Sequence, residues 1–476
     1  MTETTPKTET NPTTKTASNP TTKIASNPTP KTAINSKPTM TNSKSFRDFI
    51  AKLKKENKLV ELKKPVSLNL ELAGVMAALD GQPVRSEKIK ETPGAIAAGN
   101  VFSTRALVCD YLEINENELI PLLIRSINNP TKPEVIDAKK APVLEVTENE
   151  VDLSKLPIPI HAEKDGGPYF ASAVVMANDL QYGRNCSFHR MMVIGKDRVV
   201  ARILHRHLNE YIKRAGGELD IAFVVGAPIN VLLAGATSVA IGTDELTIAN
   251  SLMPLRTVKL GNGIEVPADA EYAFEARVTT EMVDEGPFID LTETYDIVRS
   301  QPVIKITKVH HRKNPIWHVL LPGGLEHKIL MGMPREPTIY NEVNKVVKCT
   351  GVNITPGGCS WLHAVVSIEK KTEQDGKKAI EAAFAGHKSL KHVVIVDRDI
   401  NINSPAEVEW AIATRVQADK SLVIKKNEKG SSLDPSADPM TYATTKMGID
   451  ATKPLVAHGK NFEKAGWMKV NVKDYV

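Results

Sequence analysis

The chain has 476 residues, 41% hydrophobic and 25% charged, with a formal net charge of +5, and so reads as an ordinary globular protein too long for one core. No apolar run approaches the ~20 residues that cross a bilayer, and the N-terminus lacks the apolar stretch of a secretory signal. Four scattered cysteines, Cys109, Cys186, Cys349 and Cys359, form no CxxC pair, which argues against a zinc site or disulfide framework and fits a reducing cytoplasm.

Residues 1–44 hold six lysines against two glutamates, so +4 of the +5 sits there and the body is close to neutral. A basic tail touches polyanions weakly, but this placement argues against nucleic-acid recognition as the main role. The segment repeats every eight residues: Asn11-Pro-Thr-Thr-Lys-Thr-Ala-Ser, Asn19-Pro-Thr-Thr-Lys-Ile-Ala-Ser, then Asn27-Pro-Thr-Pro-Lys. Sequence this polar does not offset its ordering entropy, and residues 1–44 are predicted to be a disordered tail.

Folding is expected to begin at Ser45, which with Asp48 resembles a capping box, ahead of Phe46, Phe49, Ile50 and Leu53 at helical spacing. Alternating and β-branched segments through residue 150 predict a first α/β domain over 45–150. Residues 151–160 read as an extended connector, because neither proline suits a helix interior. The middle third is predicted to be β-rich. Residues 191–194 and 199–203 flank Gly195-Lys196-Asp197 as a hairpin, and further strands are expected at 223–225 and 230–233 and around Val266 and Tyr272. A helix over 377–385 stops at Gly386, a short buried strand covers 392–396, and a new helix starts at Ser404-Pro405 with Glu407 completing the cap. Strand, helix and strand in succession imply a parallel sheet.

Three clusters can carry chemistry. In Glu285-Gly-Pro-Phe-Ile-Asp290 a turn separates two carboxylates that can share a cleft, and paired acids in unlike environments divide into a proton donor and an ionised partner. Two solvated surface acids are the simpler alternative. Asn185-Cys-Ser-Phe-His189-Arg190 leads through the hairpin to Arg202-Ile-Leu-His205-Arg206-His207, a set able to bind a metal and a phosphate, or else a strand with a basic solvent face. Glu245, after Thr243-Asp244, offers a hard oxygen ligand, though a surface acid explains it equally in isolation.

Together the clusters become specific. Asn185-x-x-Phe-His-Arg190, the hairpin ending Arg202-Ile-Leu, Glu245-x-x-Ile-Ala249, Val266-Pro-Ala-x-Ala-Glu271-x-x-x-Glu275 and Glu285-Gly-Pro-Phe-x-Asp290 resemble the UbiD decarboxylase family in order and spacing. Asp165-Gly-Gly-Pro, Val396-Asp-Arg-Asp-Ile400 and Val408-Glu-Trp-Ala-Ile-Ala-Thr-Arg415 extend the likeness over nearly everything after residue 45.

The resemblance implies an α/β multi-domain fold: an N-terminal α/β domain, a central split β-barrel over 151–310 that binds flavin, and a C-terminal α/β domain over 311–476 that mediates homo-oligomers, dimers or hexamers. It implies prenylated FMN, supplied by a flavin prenyltransferase, and a small unsaturated carboxylic acid as substrate. Asn185 and Glu245 would coordinate Mn2+ or Mg2+ at the cofactor phosphate, with K+ a further candidate ion. Phe188, His189, Arg190, Arg202, Ile203 and Leu204 would line the cofactor. His207 or His205 would reach the ion or phosphate, a choice left open because the glycine that usually follows this basic segment is missing. Glu285, Arg190 and Asp290 would be the catalytic trio, with Arg190 forking onto a carboxylate and Asp290 protonating the carbon that loses CO2.

Aromatic-acid members usually follow the acids with a segment ending Gly-Tyr-Tyr; here Tyr295-Asp296 stands instead. With Leu321-Pro-Gly-Gly-Leu-Glu-His327, Gly430-Ser-Ser-Leu-Asp-Pro435 and Thr444-Thr-Lys-Met-Gly-Ile-Asp-Ala-Thr452, the chain resembles the archaeal branch, which implies a branched enoic acid bearing phosphate, decarboxylated to isopentenyl phosphate. An aromatic acid such as a polyprenyl-hydroxybenzoate is the alternative substrate. A flavin-binding or nucleic-acid-associated protein without lyase activity is the remaining reading, and it does not require the trio.

Overall fold

A computed structural model describes residues 44–456, 461–462, 465–468 and 470–475. The disorder expected of the repeat tail therefore falls, apart from Lys44, outside the described residues. The first helix, Phe46–Lys55, starts as its sequence dictates: the Ser45 side chain accepts from the Asp48 N–H, and Asp48 accepts in return from the Ser45 N–H at 2.8 Å. Phe46, Phe49, Ile50 and Leu53 all turn inward. They pack beside a small sheet in which Val60–Glu61, Val84–Ser86 and Ile96–Gly99 are joined by Ile316–Val319 from much later in the chain.

The middle of the chain forms a nine-stranded antiparallel sheet built around two long strands, Tyr272–Glu285 and Arg299–His311, which pair along their length. It stands where a split barrel was expected. The hairpin Met191–Val193 with Arg198–Ala201 lies within it, as the sequence predicts. Phe223 and Phe274 stack at 4.4 Å on neighbouring strands, and Phe170 meets both edge-on at 5.5 Å. Each such ring removed from water contributes on the order of 2–3 kcal/mol, which holds the sheet against Trp317 of the smaller one.

One expected strand is a helix. Residues 230–233 belong to the helix Ile229–Ala236, capped by Pro228, whose side chains are nearly all buried. A short apolar run carries no period that separates a buried strand from a buried helix. Asn230 anchors it, because its side-chain amide donates to the carbonyls of Ala249 in the adjacent helix Glu245–Leu252 and of Met253 just beyond that helix.

The last third forms a five-stranded sheet ordered Cys349–Ile354, His363–Ile368, His392–Asp397, Ala443–Asp450, Leu422–Lys429. Its three inner strands run parallel and its two outer ones antiparallel. The helices Asp375–Gly386 and Pro405–Arg415 fall where predicted, the second with Ser404 accepting from the Glu407 N–H. The chain is thus a mixed α/β, multi-domain fold.

Candidate active site

Glu285 ends the strand Tyr272–Glu285 fully buried, and the chain then turns through Gly286 and Pro287 into the short strand Phe288–Ile289. The turn is clamped from the opposite side. Gly166 donates to the Pro287 carbonyl at 3.0 Å, and a Cβ on Gly166 would lie 2.4 Å from the Gly286 carbonyl oxygen. That close approach gives the Asp165-Gly-Gly-Pro motif its physical reason.

Arg190 follows the strand Gly183–Phe188 and aims its guanidinium at this turn. Nε and Nη2 donate to the two Glu285 oxygens at 2.9 and 3.1 Å, Nη1 to Asp290 Oδ2 at 2.6 Å, and Nη2 also to Asp296 Oδ2 at 2.9 Å. Its plane lies 5.0 Å over the Phe288 ring. Burial works against the charge, but the hydrogen bonds and field of Glu285, Asp290 and Asp296 outweigh it and raise the Arg190 pKa. The paired acids are therefore not solvated surface groups. Glu285 is enclosed and also receives the Tyr169 hydroxyl at 3.0 Å, whereas a fifth of the Asp290 side chain stays accessible.

Arg190, Asp290 and Asp296 head a cavity of about 460 Å³ that Phe188, Arg202, Leu204 and His327 also line. Phe188, His189, Leu204, Arg206 and Met331 border a second chamber of about 150 Å³ as well, which contains Asn185, His207 and Glu245. His189 links the two. Its Nδ1 faces the Arg202 carbonyl and its Nε2 the Ser187 hydroxyl, both at 3.0 Å, and burial pushes its pKa down to about 4, so the ring is neutral. Ile203 does not join them: it packs in the core with its N–H held by Gln301 at 2.7 Å.

In the second chamber the Asn185 amide donates to Glu245 Oε1 at 3.1 Å, the Cys186 N–H donates to Oε2 at 2.8 Å, and His207 Nδ1 stands 3.9 Å from Oε1. Burial raises the Glu245 pKa to about 8. A buried carboxylate beside an amide oxygen and an imidazole suits a hard divalent cation, which would restore the ionised form. The described residues contain no group of three or more His, Cys, Asp or Glu that could enclose a metal. An ion here would complete its shell with water or phosphate oxygens.

Four further groups at this site receive no individual role from the sequence, although Asp296 and His327 lie in motifs it singles out and the His- and Arg-rich stretch 311–328 reads as able to serve a substrate anion. Tyr169 directly follows the Asp165-Gly-Gly-Pro motif, and Asp296 stood out only as a departure from a familiar pattern. His327 and Arg335 lie far along the chain from the clusters. His327 Nδ1 accepts from the Gly323 N–H at 3.1 Å, and burial, assisted by the charges of Arg190 and Lys328, keeps its pKa low against the pull of Asp290. With Nδ1 accepting from the backbone, a hydrogen on this ring sits on Nε2.

With two chambers, an acid-ringed arginine and a buried carboxylate in place, comparison with known proteins defines the class. Residues 50–127, 134–325 and 328–451 match the N-terminal, Rift-related and C-terminal domains of the 3-octaprenyl-4-hydroxybenzoate carboxy-lyases. The chain belongs to the UbiD family of carboxy-lyases. It is 44% identical over 397 residues to a Methanocaldococcus jannaschii protein named anhydromevalonate phosphate decarboxylase, covering 82% of this chain and 93% of that one. Among solved structures, the UbiD-class enzyme HmfF from Pelotomaculum thermopropionicum in complex with FMN superposes with a TM-score of 0.88 at 37% identity, covering 91% of this chain and all of that one. An evolved dimeric form of HmfF in complex with prFMN gives 0.84 at 36% identity, with the same coverage.

Proposed function

We propose that the chain is a prenylated-FMN-dependent decarboxylase that converts trans-anhydromevalonate 5-phosphate to isopentenyl phosphate and CO2. The observation that carries this reading is Arg190 gripped by Glu285, Asp290 and Asp296 at the head of a cavity whose far chamber holds Asn185 and Glu245. The 44% identity to the M. jannaschii decarboxylase supports the substrate, and the likeness to HmfF bound to FMN and prFMN supports the cofactor.

When bound, the prenylated flavin supplies the electron sink for the carbon that loses CO2. The residues do the rest. The Arg190 fork grips Glu285, itself fixed by Tyr169, and the remaining Nη1 hydrogen of Arg190, beside Asp290, meets the substrate carboxylate. Asp290 holds the proton returned to carbon, a role that suits the one of the pair still open to the cavity. Phe188, His189, Arg202 and Leu204 line the flavin, and Ile203 backs that wall from the core. Asn185 and Glu245, with His207 beside them, would hold Mn2+ or Mg2+, with K+ as a further ion, and such an ion would supply positive charge for the flavin phosphate. Opposite charge at that point lets a phosphate and a carboxylate approach each other.

The proposal includes domains over 45–150, 151–310 and 311–476, a homo-oligomer, a flavin prenyltransferase as cofactor supplier and a cytoplasmic location. No helix of the described residues is long and apolar enough to cross a membrane. The test is co-expression with a flavin prenyltransferase, followed by CO2 release from the phosphorylated branched enoate and from hydroxybenzoates. Turnover of the enoate alone supports the reading, whereas turnover of hydroxybenzoates alone replaces it with the aromatic-acid alternative.

A further inference from the structure

Among the described residues Arg335 has no carboxylate counter-ion. It is 7% exposed, and its Nε has no hydrogen-bond partner among the described residues. The Trp361 ring lies 5.3 Å beneath its guanidinium. The acid next in sequence is already taken: Glu336 pairs with Arg105 at 2.5 Å and accepts the Ile354 N–H at 3.2 Å. Burial, and then the like charge of Arg206, lower the Arg335 pKa to about 10. Nearby His387 is pushed down to about 3, first by burial and then by Arg335. The surroundings of Arg335 are positive, and Glu245, the one acid among the described residues lining the adjoining chamber, is taken up by Asn185 and the Cys186 N–H.

The Arg335 side chain forms part of the wall of the 150 Å³ chamber, with Arg206, His207, Asn185 and Glu245 among its other walls. A buried guanidinium is costly unless an anion meets it, and its planar fork matches the oxygens of a phosphate. The chamber is too small for a polyanion and large enough for one such group. We propose that Arg335, assisted by Arg206, binds a phosphate monoester in this chamber, which Asn185 and Glu245 also line. The phosphate belongs either to the flavin or to the phosphorylated substrate, and in that respect the inference rests on the proposed function.

The test uses the full-length chain purified without a prenyltransferase partner. Inorganic phosphate raises the Tm of the wild type and weakens FMN binding more than riboflavin binding. Absence of both effects overturns the proposal without any variant. In Arg335→Gln the phosphate-induced rise disappears while the unliganded Tm is unchanged or higher, because an unpaired buried charge has been removed. A pillar whose only task is to pack on Trp361 predicts the reverse, a lower unliganded Tm with the phosphate response intact, and that result overturns the proposal. Arg335→Lys keeps the charge without the fork and retains part of the response.

The source of the phosphate follows from two ratios. A tenfold or greater fall in the preference for FMN over riboflavin assigns the site to the flavin. An unchanged flavin preference, with a tenfold rise in KM for the phosphorylated enoate and none for its dephosphorylated form in protein co-expressed with a flavin prenyltransferase, assigns it to the substrate. Neither shift overturns the proposal. Phosphate binding that needs Arg335 in an enzyme that decarboxylates no enoate leaves the phosphate site standing and removes the proposed function instead.

Discussion

Asp290 meets Arg190 at 2.6 Å with a fifth of its side chain open to the cavity, while Glu285, on the same guanidinium, is fully enclosed. The two acids therefore differ in access, and their conservative variants are expected to differ in kind. Asp290→Asn keeps the shape but exchanges no proton, so turnover falls by about 10²-fold or more while flavin stays bound. Glu285→Gln unbalances the Arg190 fork and costs substrate alignment, which is read as a rise in KM alongside the loss in kcat. Near-normal turnover in Asp290→Asn would remove that residue from the mechanism.

Glu245 makes the metal-free protein sensitive to base. Its pKa rises on folding from the ordinary carboxylate range to about 8. The folded chain thus prefers the protonated form, and the stability this group contributes declines as pH climbs from about 4.5 toward 8. A divalent cation displaces the proton, so ion affinity is expected to strengthen over the same interval with up to one proton released, as titration calorimetry in buffers of different ionisation enthalpy reads it. Glu245→Gln should lose both the pH dependence and most of the ion retention after dialysis. Unchanged metal content in that variant would exclude Glu245 as a ligand.

Acid acts through other groups. Burial pushes His161 and His387 down to about 3, and His189 and His363 down to about 4. Each favours the neutral ring in the fold, so their contribution is full above the unfolded value near 6.5 and is lost as pH falls toward the folded values. Between pH 6.5 and 5, where few carboxylates titrate, the urea midpoint is expected to drop, at up to ~1.4 kcal/mol per pH unit for each histidine. His189→Gln should flatten that slope by one share. A midpoint that is level across this interval contradicts the assignment.

The chain beginning at Lys44 should turn over as fast as the full-length protein, since the main cavity is lined from Ala171 to Tyr442. The boundary is sharp. The Lys44 carbonyl accepts the Tyr111 hydroxyl at 2.6 Å, and Ser45 caps the first helix. Ser45→Ala is expected to cost about 1 kcal/mol of stability with kinetics intact. A large loss of activity on removing residues 1–43 from a folded enzyme would give the repeat tail a role in catalysis.

Local grammar in the sequence carried much of the fold. Ser45 with Asp48, Ser404 with Pro405 and the Gly195-Lys196-Asp197 turn each announce an element through contacts within a few residues. The helix Ile229–Ala236 was not legible, because it is buried on nearly every side and has no polar face to reveal its period. At the site, the residues Arg190, Glu285, Asp290, Asn185 and Glu245 stand out through motif order, and the structure brings them to two joined chambers. Arg335 was not legible for a different reason. Its distinctive property is a missing partner, and a missing contact leaves no mark in a linear string.

The span of the cavity wall, from Ala171 to Tyr442, also sets a schedule. Chains grow at ~5–20 residues per second, so roughly tens of seconds separate the emergence of the first wall residue from that of the last. Once residue 311 has emerged, the sheet bearing Arg190 has all its strands but still lacks residues 429–433, which also line the cavity. A nascent chain has half a pocket and nothing to close it. A fully walled cavity is therefore expected only of the completed polypeptide, and a ribosome stalled before residue 429 would hold a folded sheet with one wall of that cavity missing.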